Sequence, residues 1–217
     1  MSTAVRDVPL PTEDRVTPAD DDLTAALRAA GDGDPGGFAV LWRALQPAVL
    51  RYLRVVCGDA AEDVASETWL QVSRDLSGFR GDPVAFRVWL FRIARNRGID
   101  ENRRAWRRRE EPVDTLDGAG HPTTTRDPLA DVIELSGTAW ALGIIRTLPT
   151  DQAEAVMLRV VAGLDVADTA RVLGKRPGAV RVAAMRGLRR LAADPQVLLG
   201  RGTVPGLPAT DRSGRDV

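Results

Sequence analysis

Arg92, Asn96, Arg103 and Arg107 follow one another at steps of four, seven and four residues. On a helix turning every 3.6 residues they fall within one narrow arc. Guanidinium groups around a single amide suit a nucleic-acid strand, because the cations meet phosphates while the amide can read a base edge. A second group lies in GKRPGAVRVAAMRGLRRL, Gly174 to Leu191, where Lys175, Arg176, Arg181, Arg186, Arg189 and Arg190 occur with no acid between the first and the last. Both sets are chemistry for a polyanion, and that chemistry is binding.

Residues for bond-making are missing from the same places. Asp82, Asp100 and Glu101 stand among arginines, where ion pairing is their expected task. His121 is the only histidine and lies in a polar stretch, a poor setting for a general base or a metal ligand. GDGDPGG lacks the lysine and the following hydroxyl of a phosphate-cradling loop. Cys57 is the only cysteine, so no internal disulfide and no thiolate cluster can form. It is expected to pack as a small hydrophobe in a reducing compartment. The reading is a protein that is not an enzyme and uses no cofactor and no metal.

The formal net charge is zero, yet the charge is segregated. Residues 80 to 109 hold ten arginines against three acids, and residues 110 to 154 hold nine acids against two arginines. The first 35 residues hold eight acids against three arginines. Acidic blocks beside basic ones lower non-specific adhesion of the basic ones. No apolar run approaches the roughly 20 residues that span a bilayer, and the first residues lack the apolar core of a signal peptide. A cytoplasmic protein without membrane insertion is expected.

Positioning these cations requires helices. Residues 1–22 are acidic, carry prolines and lack apolar periodicity, which is the composition of a disordered lead-in. Phe38, Leu41, Leu45, Val49, Tyr52, Leu53 and Val56 then recur at helical steps, with Pro47 expected to bend or split the helix. A second helix follows, with Asp59 as its cap and Glu62 three residues on; Val64, Trp69, Leu70 and Val72 are assigned to its buried face. Val84 to about Arg109 forms a third helix, with Phe86, Trp89, Leu90 and Ile93 as its apolar strip. Residues 110–137 have linker composition, residues 138–193 are helical again, and residues 194–217 read as a flexible tail. Nothing alternates as a strand should. The expected fold class is all-α: an N-terminal bundle over residues 23–109 and a C-terminal domain, joined by a flexible linker.

The C-terminal unit has the punctuation of a helix-turn-helix. Gly163 ends one helix and Asp165 can cap the next, whose buried side takes Val166, Ala170, Val172 and Leu173. Gly174 supplies the tight turn, and Pro177 opens the following helix, where its missing N–H costs nothing. Val180, Ala184, Leu188 and Leu191 form the inward face of that helix. A recognition helix enters the major groove by its N-terminal part, so Arg176, Gly178, Ala179, Arg181 and Val182 are the base-proximal positions. Lys175, Arg186, Arg189 and Arg190 are placed on phosphates. A helical hairpin with a solvated cationic face is the competing reading, against which the turn chemistry and the lack of acids argue.

AEDVASETWLQVSR (Ala61 to Arg74), FRG (Phe79 to Gly81), FRVWLFRIARNRGIDENRR (Phe86 to Arg104) and LPTDQAEAVMLRVVAGLDVADTARVLG (Leu148 to Gly174) occur in this order. Together they resemble the bacterial RNA polymerase sigma factors of the extracytoplasmic-function (ECF) group. The resemblance implies a factor that joins core RNA polymerase, directs it to promoter DNA and helps to open it. It implies that the helix from Ala61 docks on the clamp of the largest subunit, with Asp63 and Glu67 at its acidic positions and Ser66 where a glutamine is usual. Phe79, Arg80, Asn96 and Asp100 match the region that captures an unpaired strand of the promoter element nearer the start site. The C-terminal domain is implied to read the more distant element as duplex and to meet the flap of the second-largest subunit. There the family often has threonine at the position of Ala179 and a Ser-Arg pair at Val182-Ala183. An anti-sigma factor is a commonly implied further partner. A polymerase-independent helix-turn-helix regulator would account for residues 138 to 192, but it leaves the acidic helix and the second cationic helix without a role.

Overall fold

Nine helices and no strand occur among the described residues, 18–110 and 128–200 of a computed structural model. Helix α1 (Pro18–Gly31) begins inside the stretch read as a disordered lead-in, and its Leu23, Ala26, Leu27 and Ala30 are buried. The acids before Leu23 hide this start, because the apolar spacing only begins there. α2 (Pro35–Cys57) follows, capped by Asp34, whose carboxylate accepts the Gly36 and Gly37 N–H groups at 3.0 Å each. Gly37 lets the two helices touch, since a Cβ there would lie 2.7 Å from the backbone of Ala26 and Ala30.

α2 runs unbroken through Pro47. Pro47 and Arg43 both face solvent, so the carbonyl that loses its partner can be hydrated, and the expected split does not occur. After a 3-10 turn over Gly58–Ala60 comes α3 (Ala61–Asp75). Asp59 does not cap it: Ala60 holds the cap position without a side-chain bond, and Glu62 reaches back to Arg54 at 3.4 Å. α4 (Pro83–Glu110) starts where Asp82 accepts the Ala85 N–H at 2.7 Å. Tyr52, Leu53, Phe86, Leu90 and Phe91 are fully buried between these helices, each worth about 1.5–3 kcal/mol of apolar burial.

α5 (Pro128–Arg146) starts within the expected linker, and α6 (Thr150–Val156) continues into a wide π turn over Met157–Val161. The helix-turn-helix follows as expected. Asp165 accepts the Asp168 N–H at 2.6 Å to cap α7 (Val166–Leu173), Gly174 turns the chain at φ +63°, and Pro177 opens α8 (Pro177–Ala193). The stretch from Asp194 contains a further helix, α9 (Pro195–Gly200), capped by Asp194. The remainder of the lead-in, linker residues 111–127 with His121, and tail residues 201–217 lie outside the described residues.

The C-terminal unit sits directly on the N-terminal bundle: α5 and α6 meet α2, α7 meets α4, and one apolar core runs through both. At the seam Glu154 of α6 is 5% exposed. It accepts the Tyr52 hydroxyl at 3.1 Å and the Arg95 Nε–H at 2.7 Å. Burial first, then the charge and hydrogen bond of Glu154, push the Tyr52 pKa well above the usual phenol value, so the hydroxyl remains a donor. Burial opposes the Arg95 charge, but the bond to Glu154 outweighs it and the pKa is raised. Periodicity marks Tyr52 as core and does not show that its hydroxyl needs a partner 102 residues away.

Candidate nucleic-acid interface

On α4, the arc expected from spacing forms as a surface. Arg92, Asn96, Asp100, Arg103 and Arg107 are all exposed, while Leu90, Ile93 and Ala94 face the core. The arginines differ in how they are held. Arg103 lies 3.7 Å from Asp100, and Glu101 draws Arg104 at 3.7 Å and Arg108 at 2.5 Å. Arg92 and Arg107 have no ion pair among the described residues.

The loop before α4 is pinned by its aromatic ring. Phe79 stacks on Trp89 at 5.1 Å and meets Phe86 edge-on at 5.6 Å. Arg80 is exposed, and its guanidinium folds back to donate to the carbonyls of Ser77 and Phe79 at 2.8 and 2.7 Å. Phe79 thus anchors the loop, and Arg80 stands at its rim beside the α4 face.

α3 presents a different chemistry. Asp63, Ser66 and Glu67 share its exposed side, joined by Leu70, which is 51% exposed and not part of the buried face assigned to it. The buried side is instead Val64, Ala65, Thr68, Trp69 and Val72, with the Trp69 indole N–H donating to Gln46 at 2.6 Å. Ser66 Oγ donates to the Glu62 carbonyl at 2.9 Å, and Glu67 reaches Arg97 of α4 at 3.8 Å. An acidic helix face carrying one large apolar residue can meet a protein surface that is basic at its rim.

Along α8, Lys175, Arg176, Gly178, Ala179, Arg181, Val182, Arg186, Arg189 and Arg190 are all exposed. None of these cations has an ion pair among the described residues. The inward face is Val180, Ala183, Ala184 and Gly187; Leu188 is 43% exposed and Leu191 half-buried, against expectation. Gly187 explains the rotation, since a Cβ there would lie 2.8 Å from Val156: α8 crosses α6 at its smallest residue. Val166 of α7 is only half-buried, and Asp168 and Thr169 take the buried positions beside Ala170. Asp168, paired with Arg171, is thereby held inside the motif.

Cys57 is half-buried, and its thiol donates to the Leu53 carbonyl at 3.2 Å. Burial pushes its pKa up to about 11, with Glu101 adding and Arg146 opposing. It stays a protonated, poorly nucleophilic thiol at neutral pH. Among the described residues, no group of acids, histidine or cysteine could hold a metal ion, and no helix is long and apolar enough to cross a membrane.

Two exposed cationic helical faces, one on an aromatic-anchored bundle and one on a helix-turn-helix, make an all-helical protein with the surface chemistry of a polyanion binder. The sigma-70 region 2 family model matches residues 41–108, and the sigma-70 region 4 model matches residues 139–191. The ECF RNA polymerase sigma factor SigD of Mycobacterium tuberculosis (H37Rv) is 32% identical over 193 residues, covering 86% of this chain and 90% of that protein. ShbA of Streptomyces griseus, also an ECF RNA polymerase sigma factor, is 33% identical over 185 residues, covering 80% and 97%. Among solved structures, CnrH in complex with the cytosolic domain of CnrY shares the fold with a TM-score of 0.55 at 23% identity, over 85% of this chain and 99% of that one. RpoE of Bartonella quintana, solved with the anti-sigma factor NepR, gives 0.54 at 22%, over 75% and 96%. This chain belongs to the ECF RNA polymerase sigma factors.

Proposed function

We infer that the chain is a promoter-specificity subunit: it binds core RNA polymerase, brings it to promoters and helps to open them, acting by binding alone in the cytoplasm. In this reading Asp63, Ser66 and Glu67 of α3 meet the clamp of the largest subunit, and the C-terminal unit also meets the flap of the second-largest. Arg92, Asn96, Asp100, Arg103 and Arg107 of α4, with Phe79 and Arg80 beside them, hold the unpaired strand of the nearer element. Arg176, Gly178, Ala179, Arg181 and Val182 approach base edges of the distant element, while Lys175, Arg186, Arg189 and Arg190 grip its phosphates. Turning a base out of the stack costs a few kcal/mol, which strand contacts on α4 have to offset.

The observation that carries this reading is the presence of both sigma regions in one chain, each ending in an exposed cationic helix face. A helix-turn-helix regulator acting alone would need only the second. That structural neighbours were solved with anti-sigma factors or the cytosolic domain of a partner supports an anti-sigma factor as a further partner here. Transcription in vitro with purified core polymerase over a promoter library tests the proposal. Specific initiation dependent on this chain is expected; a folded chain that fails to associate with core polymerase overturns it.

A further inference from the structure

Trp106 is 68% exposed, more than any other large apolar side chain among the described residues. A single exposed hydrophobe is ordinary, but the surroundings of this one are not. The buried strip of α4 runs through Phe86, Leu90 and Ile93, and at 100° per residue Trp106 projects from the opposite side of the helix. There it stands one turn from Arg103 and next to Arg107, on the flank of the arc that begins at Arg92 and Asn96. Ile99, Asn102, Arg103, Trp106 and Arg107 together line an open hollow of about 490 Å³. Asn102 is fixed there by its amide, which donates to the Val56 carbonyl at 2.9 Å.

An indole face edged by guanidinium groups, over a hollow, matches an unpaired nucleobase with its phosphates. The ring stacks on the base whatever its identity, and the cations neutralise the backbone on either side. A protein partner is the poorer fit, because Ile99 is the only other apolar side chain lining the hollow, and Arg103 and Arg107 make its rim cationic. Trp106 lies ten residues past Asn96, roughly 15 Å along the helix, or about four nucleotides at the rise of one DNA strand. We propose that Trp106, flanked by Arg103 and Arg107, is a stacking platform for a second unpaired base of the promoter strand that crosses α4 at Asn96. This rests on the strand-holding role of α4 proposed above and adds a contact to it.

The test uses holoenzyme assembled from the full chain and core polymerase, with promoter DNA either fully paired or carrying an unpaired strand over the nearer element. Trp106→Ala is expected to weaken binding to the forked DNA by about 5- to 150-fold, the usual range for loss of one base–aromatic stack. Binding to paired DNA and to core polymerase should change less than about twofold, and Trp106→Phe should retain most of the forked-DNA affinity. With 2-aminopurine placed in turn along the unpaired strand, one position should be quenched by wild-type holoenzyme and released by Trp106→Ala. Equal forked-DNA binding by Trp106→Ala, or equal losses on paired and forked DNA, overturns the platform while leaving the specificity-subunit reading intact. A loss of core-polymerase affinity instead assigns the surface to a protein and also overturns it. Failure of the wild-type chain to form holoenzyme sinks the underlying reading and this proposal with it.

Discussion

The cations of α4 and those of α8, both proposed to meet nucleic acid, are kept in different states. On α4, Arg95, Arg97, Arg103, Arg104 and Arg108 each lie within reach of a carboxylate. Along α8 every cation from Lys175 to Arg190 is exposed without such a neighbour among the described residues. Helix α8 therefore has nearly its full charge available, and binding of a phosphate backbone there would draw on counterion release. Helix α4 has part of its charge answered already and offers an amide and aromatic rings between the remaining cations. In the proposed function, the α8 surface grips duplex and the α4 surface discriminates among exposed bases.

The contrast breaks most visibly at α8. Reversing Arg186 and Arg189 together should weaken binding of promoter duplex by about 100-fold or more at low salt, the equivalent of two charged contacts. The slope of log affinity against log salt should fall by about 1.8, at 0.9 per phosphate contact. An unchanged slope removes these residues from the backbone contacts. On α4 the effect should appear at a later step: Asn96→Ala is expected to reduce promoter opening by about tenfold, the worth of one hydrogen bond, and to leave initial duplex binding within twofold. Normal permanganate reactivity of the opened region would remove Asn96 from strand capture. The smallest change tests the pairing itself. Asp100→Asn frees Arg103 from an exposed contact worth about 0–1 kcal/mol, so stability should scarcely move. Affinity for non-specific single strands should rise up to about fivefold at low salt and converge with wild type as salt increases.

The helix-turn-helix was legible because its signals are local. Asp165, Gly174 and Pro177 each act through their own backbone angles or nearest N–H groups, and each does in the structure what its type predicts. The α4 arc was legible because a 28-residue helix keeps its register. Features that depend on a neighbour were not. Leu188 and Gly187 trade places because α6 comes close enough to need a glycine, and Leu70 turns outward while Ala65 and Thr68 complete the buried side of α3. Pro47 does not split α2, whose side there is wet. Trp106 had a signal in the sequence, an aromatic among arginines on the wrong side for the core. The seating of the C-terminal unit on the bundle had none, since it needs Tyr52, Arg95 and Glu154 at once.

That last contact has an asymmetric energetic character. Deleting Arg95 alone would leave the buried Glu154 carboxylate with the Tyr52 hydroxyl as its one remaining side-chain donor, a loss below the roughly 3–5 kcal/mol of a fully buried pair because the Arg95 side is part-exposed. Drawing α6 away from α2 and α4 as one body is another matter, because water then reaches all three groups together and a hydrated ion pair costs little relative to a buried one. The trio thus behaves as a key rather than a rivet: it dictates how the two halves seat, while the apolar core that runs through both holds them there.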